Sequence, residues 1–207
     1  GARGPALGQA GVVVKCDGGA RVPAQLVGCD GAVEIVTRDS EAGLALLRHD
    51  CAHVLAQAVQ ELFPGTQITF GPAIEDGFYY DFHRKEPFSP DDFAAIEERM
   101  AQIVDRDETI IREVWTRADA TRFFEEAGET FKAEHVAGLP DGVEITLYRQ
   151  GDWIDPCTGP HLPSPGRLGK SFKPRKLAGA NWAGAPAKPQ LPPVHGTCAR
   201  PQQRPGP

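Results

Sequence analysis

The 207-residue sequence contains two pairs of residues that can ligate a metal or transfer protons. The two members of each pair are four positions apart. His49 and His53 lie in LRHDCAHVLAQAV, and Cys157 and His161 lie in DPCTGPH. On a helix this spacing brings two side chains together over one turn, whereas the Gly-Pro step in the second motif predicts a loop. Three histidines and a cysteine form a zinc-compatible ligand set, and they are equally a set of acid–base groups around a pocket.

The element that must position the histidine pair is a helix predicted over about 40–62, capped by Asp39 or Ser40 and ended by Pro64-Gly65. At about 100° per residue, its apolar stripe lies roughly 140–180° from the histidines. That stripe consists of Leu44, Leu47, Cys51, Leu55, Ala58 and Leu62. We therefore expect Cys51 in the core and the histidines on a face of small side chains, the alternative being an exposed pair without function.

The remaining pattern mixes strands and helices irregularly, which predicts an α+β fold. Strands are predicted within 11–15, 21–27, 32–38, 66–72, 77–82, 109–115, 143–149 and 152–155. Further helices are predicted over 89–104, 118–127 and 131–137. Ser89 is a natural N-cap for the first of these, and Phe93, Ile96, Met100 and Ile103 form its buried stripe.

Composition excludes several classes of protein. No apolar run approaches the roughly 18 residues that a membrane span requires, so no membrane partner is expected. Five cysteines without a CxxC motif indicate a reducing, cytoplasmic setting. The net charge of −6 argues against a general nucleic-acid coat, although the RLGKSFKPRK segment could still hold phosphates. The cationic residues of this segment are Arg167, Lys170, Lys173, Arg175 and Lys176.

Long stretches around both motifs carry a resemblance to one family. LRHDCAHVLAQAVQELFPGTQITFGPAIEDGFYYDF resembles the opening of the editing domain shared by threonyl- and alanyl-tRNA synthetases, and DWIDPCTGPHLPSPGRLGKSFKPRKLAGANWAG resembles its closing part. The β-rich start, through VEIVTRDSEAGLALLRH, is similar to the second half of the TGS module of threonyl-tRNA synthetases. The resemblance covers about 25–184.

The resemblance implies a domain organisation. We expect a partial, β-rich TGS-like (β-grasp) module at 1–39 and a two-layer α+β editing domain at 40–184, with HxxxH on its long helix. A Pro/Gly-rich disordered tail is expected at 185–207. The class II catalytic core of the family does not follow, so the chain is expected to be an N-terminal part that lacks ATP-dependent ligase activity.

The activity implied by the resemblance is proofreading, in which the ester of a mischarged tRNA, serine on threonine-specific tRNA, is hydrolysed. The residues that the resemblance makes catalytic are His49, His53, Lys132, Cys157 and His161. Those that it assigns to substrate binding are Asp155, Tyr80 and Gly71. A single methyl group is worth only about 1–3 kcal/mol in a binding pocket, so a second pocket that excludes threonine by its methyl would supply the missing selectivity.

Plainer interpretations stand beside these roles. Lys132 could be a solvated helix charge, Asp155 a turn residue and Tyr80 ordinary strand packing. His83, His135 and His195 belong to no motif and are expected at the surface. The basic segment could be a solvated loop, in which Phe172 stacks on a base or anchors the chain.

No cofactor is expected, although alanyl-type editing domains use the same four side chains to hold zinc, so zinc stays an alternative. The expected partner is the acceptor end of a tRNA that carries serine. The parent family dimerises through the missing core, so this chain is expected to be monomeric. Two other functions stay open: a free-standing trans-editing deacylase with a zinc site, and a non-catalytic tRNA- or protein-binding fragment.

Overall fold

A computed structural model describes residues 11–16, 19–21, 33–69, 71, 73–74, 77–176, 180–181, 190–191 and 193–198. The helices are α1 (Glu41–Leu62), α2 (Pro90–Arg106), α3 (Arg117–Glu126) and α4 (Thr130–Gly138), with a 3₁₀ turn at Pro165–Arg167. Strands in the first half are β1 (Gly11–Cys16), β2 (Gly19–Arg21), β3 (Val33–Thr37), β4 (Gln67–Ile68), β5 (Ala73–Ile74) and β6 (Gly77–His83). Those in the second half are β7 (Ile110–Trp115), β8 (Ile145–Gln150), β9 (Trp153–Pro156), β10 (Phe172–Lys176), β11 (Ala180–Asn181), β12 (Gln190–Leu191) and β13 (Pro193–Cys198).

The starts of the two long helices follow from side-chain caps. The Ser40 hydroxyl accepts a hydrogen bond from the Gly43 backbone N–H at 3.1 Å, which satisfies one of the free donors of α1. At α2, Ser89 and Asp92 form a reciprocal capping box behind Pro90. The helices predicted near 40–62 and 89–104 are therefore confirmed.

Three antiparallel sheets organise most of the strands. One has the order β2-β1-β3, and another has the order β7-β8-β9. The largest has the order β10-β13-β6-β4, with β5 also paired to β6. Helix α1 packs against α2 on one side and against β6 and β13 on another, and it is the element that carries the histidine pair.

Burial around α1 differs from the helical projection. Every residue from Asp50 to Val59 is buried, so this stretch has no solvated face. Four residues of the predicted apolar stripe are in the core, namely Leu47, Cys51, Leu55 and Ala58, whereas Leu44 and Leu62 are partly buried. The opposite face is covered as well. That cover comes from β8 and β9, since Gln150 donates a hydrogen bond to Gln57 at 2.5 Å and Trp153 donates one to Gln60 at 2.7 Å. A pattern within one helix does not report such a distant neighbour.

The Pro/Gly-rich segment 185–207 is not disordered throughout. Residues Pro193–Cys198 form β13, which pairs with both β6 and β10 and buries Val194 and Cys198. Pro193 is compatible with this strand because it is the first residue, where proline is tolerated in a sheet. The alternation of Val194, Gly196 and Cys198 toward one face is the pattern that the low overall hydrophobicity concealed.

The mixture of helices and antiparallel strands confirms the α+β class, whereas the three-part division at 39 and 184 stays a prediction. Most of the strand predicted at 21–27 lies outside the described residues. In the described part of the chain, no helix is long and apolar enough to cross a membrane.

Candidate functional site

The two four-spaced motifs meet in the structure. Helix α1 supplies His49 and His53, and the loop after β9 supplies Cys157 and His161. One ligand atom from each lies within 4.8 Å of the other three. Nε2 of His49 is 3.2 Å from Sγ of Cys157. His53 is only 8% exposed and His49 is partly buried, so the two do not form a solvent-exposed pair.

The shape of the CTGPH loop explains how its cysteine and histidine both face α1. Gly159 has a φ of +68°, a left-handed conformation that favours glycine, and a cis peptide bond joins it to Pro160. A Cβ atom at Gly159 would also lie 2.0 Å from the Tyr148 hydroxyl. The Gly159 backbone N–H donates to Sγ of Cys157 at 3.3 Å, which turns the loop back on itself.

A second network surrounds Asp155, which is completely buried. Its Oδ1 lies 2.8 Å from Nζ of Lys132, itself 2% exposed. Its Oδ2 accepts a hydrogen bond from the Tyr80 hydroxyl at 2.7 Å and lies 3.1 Å from Nδ1 of His53. The plainer interpretations of Lys132 as a solvated charge and Asp155 as a turn residue are therefore wrong.

These contacts fix the charge of the network. Burial alone would favour the neutral acid at Asp155, but the Lys132 cation and the His53 hydrogen bond hold the pKa of this carboxyl below its usual range. Burial and the Asp155 charge raise the pKa of Tyr80, so its hydroxyl keeps the proton that it donates. Asp155 is thus an anion encircled by three donors.

Cys157 and His53 form the other charged contact. Burial opposes the thiolate, but the neighbouring imidazoles of His161, His49 and His53 lower the pKa of Cys157 to about 3. Burial also opposes the imidazolium, but hydrogen bonds to Asp155 and Cys157 raise the pKa of His53 to about 10. The site therefore holds a thiolate next to an imidazolium at neutral pH.

Asp50, which lies between the two histidines and was not among the predicted site residues, is also part of this cluster. Its Oδ1 lies 2.5 Å from Nδ1 of His161, and its Oδ2 accepts from the Leu162 backbone N–H at 2.7 Å. Despite burial, the electrostatic interaction and hydrogen bond with His161 lower the pKa of Asp50, and the carboxylate in turn raises the pKa of His161. The sequence does indicate that Asp50 lies near the buried face of α1, because it follows Leu47 by three positions and is therefore only about 60° from the apolar stripe.

A cavity of about 350 Å³ opens onto one side of the cluster. Among the predicted site residues, its lining includes His49, His53, Gly71, Tyr80, Asp155 and Cys157. Lys132 and His161 are not on this lining and lie behind Asp155 and the two α1 histidines. The predicted catalytic set is thus brought together, but only part of it faces the cavity.

Close packing forms one wall of this cavity. A Cβ atom on Gly71 would lie 2.1 Å from the Tyr80 ring, so the backbone here can approach the ring only without a side chain. The lining also contains apolar side chains from α4, from the loop that follows it and from the start of β8. They are Val136, Leu139, Val143 and Ile145.

The three histidines expected at the surface are each partly buried. His135 lines the cavity, one helical turn after Lys132. His83 packs edge-on against Phe131, and His195 stacks on Tyr79 with ring centroids 5.1 Å apart. His135 is therefore a cavity residue that motif analysis missed.

The basic segment lies along the 3₁₀ turn and β10. Lys170 pairs with Asp105 at 2.6 Å, and Lys173 lies 3.9 Å from Glu97. Lys170, Asp105 and Lys173 are exposed, and Glu97 is partly buried. The Arg167 side chain is exposed too, while the side chains of Arg175 and Lys176 lie outside the described residues. Phe172 is buried in the main core, so it anchors the strand and is not free to stack on a base.

The donor set at the cluster fits zinc in chemical type, since histidine nitrogen and cysteine sulfur are its usual ligands. His53 and His161 each place their second nitrogen on a carboxylate, an arrangement common for metal-bound histidine. Tetrahedral zinc keeps its ligand atoms about 3.3–3.6 Å apart. The four atoms here span up to 4.8 Å, so the cluster would have to contract slightly to close around an ion.

Comparison with known proteins supports the resemblance. Residues 145–178 match the model of the family described as threonyl and alanyl tRNA synthetase second additional domain. The chain is 54% identical over 192 residues to threonine–tRNA ligase from Parvibaculum lavamentivorans. The aligned region covers 93% of this chain and 29% of that relative. Identity is 54% over 194 residues to the Rhodospirillum rubrum enzyme, covering 94% of this chain and 30% of that relative.

A third relative, the threonine–tRNA ligase of Phenylobacterium zucineum, is 59% identical over 167 residues, or 81% of this chain and 25% of its own length. The resemblance to threonyl-tRNA synthetases is thereby confirmed. The chain spans less than a third of the length of each of these relatives.

Proposed function

We propose that this chain, a relative of part of the threonine–tRNA ligases, hydrolyses the aminoacyl ester of mischarged tRNA, with serine on threonine-specific tRNA as the substrate. The observation that supports this most is the convergence of His49, His53 and Cys157 on one face of the 350 Å³ cavity. A cavity of this size accommodates an amino-acid ester and one ribose.

The charges of the cavity residues suggest which catalytic role each residue has. Hydrolysis needs a group to accept a proton from the attacking water and a donor to stabilise the oxyanion that forms at the ester carbonyl. His53 is protonated at neutral pH, so we assign it to the oxyanion. His49 is the more accessible imidazole of the cluster, and we assign it to the water. The C–O bond to the ribose then breaks, the ribose oxygen takes up the proton, and the free amino acid leaves.

Lys132 and Asp155 receive supporting roles in this scheme. The resemblance implied a catalytic role for Lys132 and a substrate-binding role for Asp155. Both oxygens of Asp155 are already occupied and its side chain is buried, so we assign it to holding His53 and Tyr80 in place. Lys132 lies behind the cavity wall and neutralises Asp155. The carboxylate therefore has a second cationic partner besides His53.

The close-packed wall at Gly71 suggests how the site selects its substrate. A methyl group alone changes binding by about 1–3 kcal/mol, so a pocket that must exclude threonine has to be tight around the β-carbon. Gly71 and Tyr80 are in such close contact that this part of the lining cannot retract. We propose that serine fits here and that the extra methyl group of threonine does not.

Deacylation by the 207-residue chain tests this function. Threonine-specific tRNA would be charged separately with labelled serine and with labelled threonine, and loss of label followed with wild type, His49→Ala and buffer alone. We expect rapid release of serine by wild type, slow release by His49→Ala, and little release of threonine. Equal rates for wild type, His49→Ala and buffer would overturn the proposal. We expect the chain to act as a monomer, which sedimentation under the same conditions would check.

A metal-dependent form of the same hydrolysis is a second candidate, because the four donors and their two carboxylate partners suit zinc. His49, His53, Cys157 and His161 would hold the ion, and when bound it would supply Lewis-acid chemistry. Metal analysis of the purified chain distinguishes the candidates: about one zinc per chain, lost together with activity on chelation, favours the metal form.

A further inference from the structure

Asp50 has no role in the deacylation outlined above, yet it is one of the most buried charged residues of the chain, with 1% exposure. It lies between the two histidines in the α1 sequence but contacts the opposite motif. Its two oxygens are divided between the His161 side chain and the backbone of Leu162. One carboxylate therefore ties the CTGPH loop to the HxxxH helix at two points.

These contacts determine which nitrogen of His161 faces the cluster. An ionised carboxylate can only accept hydrogen bonds, so Nδ1 of His161 must carry a proton to lie 2.5 Å from Oδ1 of Asp50. The other nitrogen, Nε2, is then left for the centre of the site. That atom is buried and has no hydrogen-bond partner in the described part of the chain, while its ring lies 4.4 Å from the ring of His53.

A buried and unpartnered nitrogen is costly, so its presence calls for a reason. We propose that Asp50 is a positioning residue, which fixes His161 as the Nδ1-protonated form and directs Nε2 toward Cys157 and the cavity histidines. The kinetic part of this inference rests on the proposed deacylase, whereas the structural part does not. The arrangement follows the logic of a carboxylate that orients a catalytic or ligating histidine.

An amide cannot take the place of this carboxylate without a loss. Both oxygens of Asp50 accept from N–H donors, and the NH₂ group of asparagine would confront one of them. If it faced Leu162, the backbone N–H would lose its partner. If it faced His161, the proton would have to move to Nε2. Asp50→Asn therefore keeps the size of the side chain while it removes the tautomer preference.

Nuclear magnetic resonance on the chain with ¹⁵N-labelled histidine tests the structural part directly. The wild type should show, besides any signal from Nδ1 of His53 beside Asp155, an imidazole Nδ1 of His161 with a directly bonded, strongly deshielded proton that exchanges slowly with water. This signal should vanish in His161→Gln, which assigns it, and in Asp50→Asn. A wild-type spectrum in which Nδ1 of His161 carries no proton would overturn the inference, whether or not the chain hydrolyses any ester.

Steady-state deacylation tests the functional part. Loss of the outer partner of a working histidine commonly lowers activity about 10- to 100-fold, so Asp50→Asn should lower kcat by that factor with KM changed less than about threefold. Asp91→Asn, the same exchange at an exposed position of α2, is the matched control. A folded Asp50→Asn variant with wild-type kcat would refute the positioning role. Absence of activity in the wild type would instead count against the proposed function, and the resonance experiment would still decide the inference.

Discussion

The ion pair between Lys132 and Asp155, with Nζ and Oδ1 2.8 Å apart, lies in the interior of the protein. The two residues come from α4 and β9, so the pair joins this helix to this strand beside the cavity. Asp155 also receives hydrogen bonds from Tyr80 and His53, and this leaves neither oxygen free. The pair therefore acts on the cavity through the residues that it holds.

Removal of the cation should destabilise the whole protein. A buried ion pair that loses one partner typically costs about 3–5 kcal/mol, and the remaining donors to Asp155 place Lys132→Met toward the lower end of that range. Urea unfolding followed by circular dichroism would measure the change. Lys170→Met, which breaks the exposed pair with Asp105, is the matched control and should cost less than about 1 kcal/mol. Equal effects of the two substitutions would contradict this account.

Local signals in the sequence account for much of the fold. Ser40 and Ser89 are capping residues whose hydrogen bonds lie within three positions, so the starts of α1 and α2 could be predicted. The same holds for the choice of His49, His53 and Cys157, because their spacing is visible in the chain. These features depend on neighbours a few residues away, which a sequence displays directly.

Features that depend on distant contacts could not be predicted in the same way. Lys132 reads as an ordinary helix charge because its burial is created by Asp155, which is 23 positions further along. Strand β13 is weakly apolar by itself and exists because β6 and β10 pair with it from both sides. For Asp50 the sequence indicates a position near the apolar stripe but not its partners, which belong to a loop more than a hundred residues later.

Cys157 should react as a thiolate well below the pH at which ordinary thiols do. Its pKa of about 3 keeps it ionised throughout pH 5–8, so its alkylation by iodoacetamide at pH 6 should be within about threefold of that at pH 8. An ordinary thiol loses roughly a hundredfold over the same interval. The rates would be measured by mass spectrometry of the Cys157 peptide, with a chelator present.

The unfolded chain is the matched control for this measurement, because in denaturant Cys157 should regain the steep dependence of a free thiol. The buried Cys51 and Cys198 should stay unlabelled in the native protein. A native rate for Cys157 that falls with pH as steeply as the unfolded rate would show that the histidines do not hold the thiolate.

Gly71→Ala should disturb the cavity wall. The added Cβ would lie 2.1 Å from the Tyr80 ring and 2.6 Å from the carbonyl oxygen of Tyr79, so the ring must move and its hydroxyl must leave Asp155. Overpacking of this kind costs about 1–3 kcal/mol, and we also expect slower release of serine. Gly138→Ala is the control, since its Cβ meets no atom within 4 Å. Thermal unfolding and deacylation would be compared for both variants, and a wild-type profile for Gly71→Ala would be inconsistent with a rigid wall.

The stability of the protein should depend on pH through Asp81. Burial raises the pKa of this carboxyl to about 6, and its Oδ1 has no hydrogen-bond partner in the described structure. Because the pKa in the unfolded chain is about 3.9, the native state holds this proton more tightly, and ionisation of Asp81 penalises folding. This destabilisation is complete above about pH 7 and decreases as the pH falls below 6 toward 4.

Asp81→Asn should therefore raise the Tm at pH 7.5 by several degrees, and at pH 4.5 this increase should largely vanish. Asp91→Asn, at an exposed site, should shift the Tm equally little at both values. An Asp81→Asn gain that is the same at pH 4.5 and 7.5 would mean that the charge of Asp81 is not what destabilises the fold.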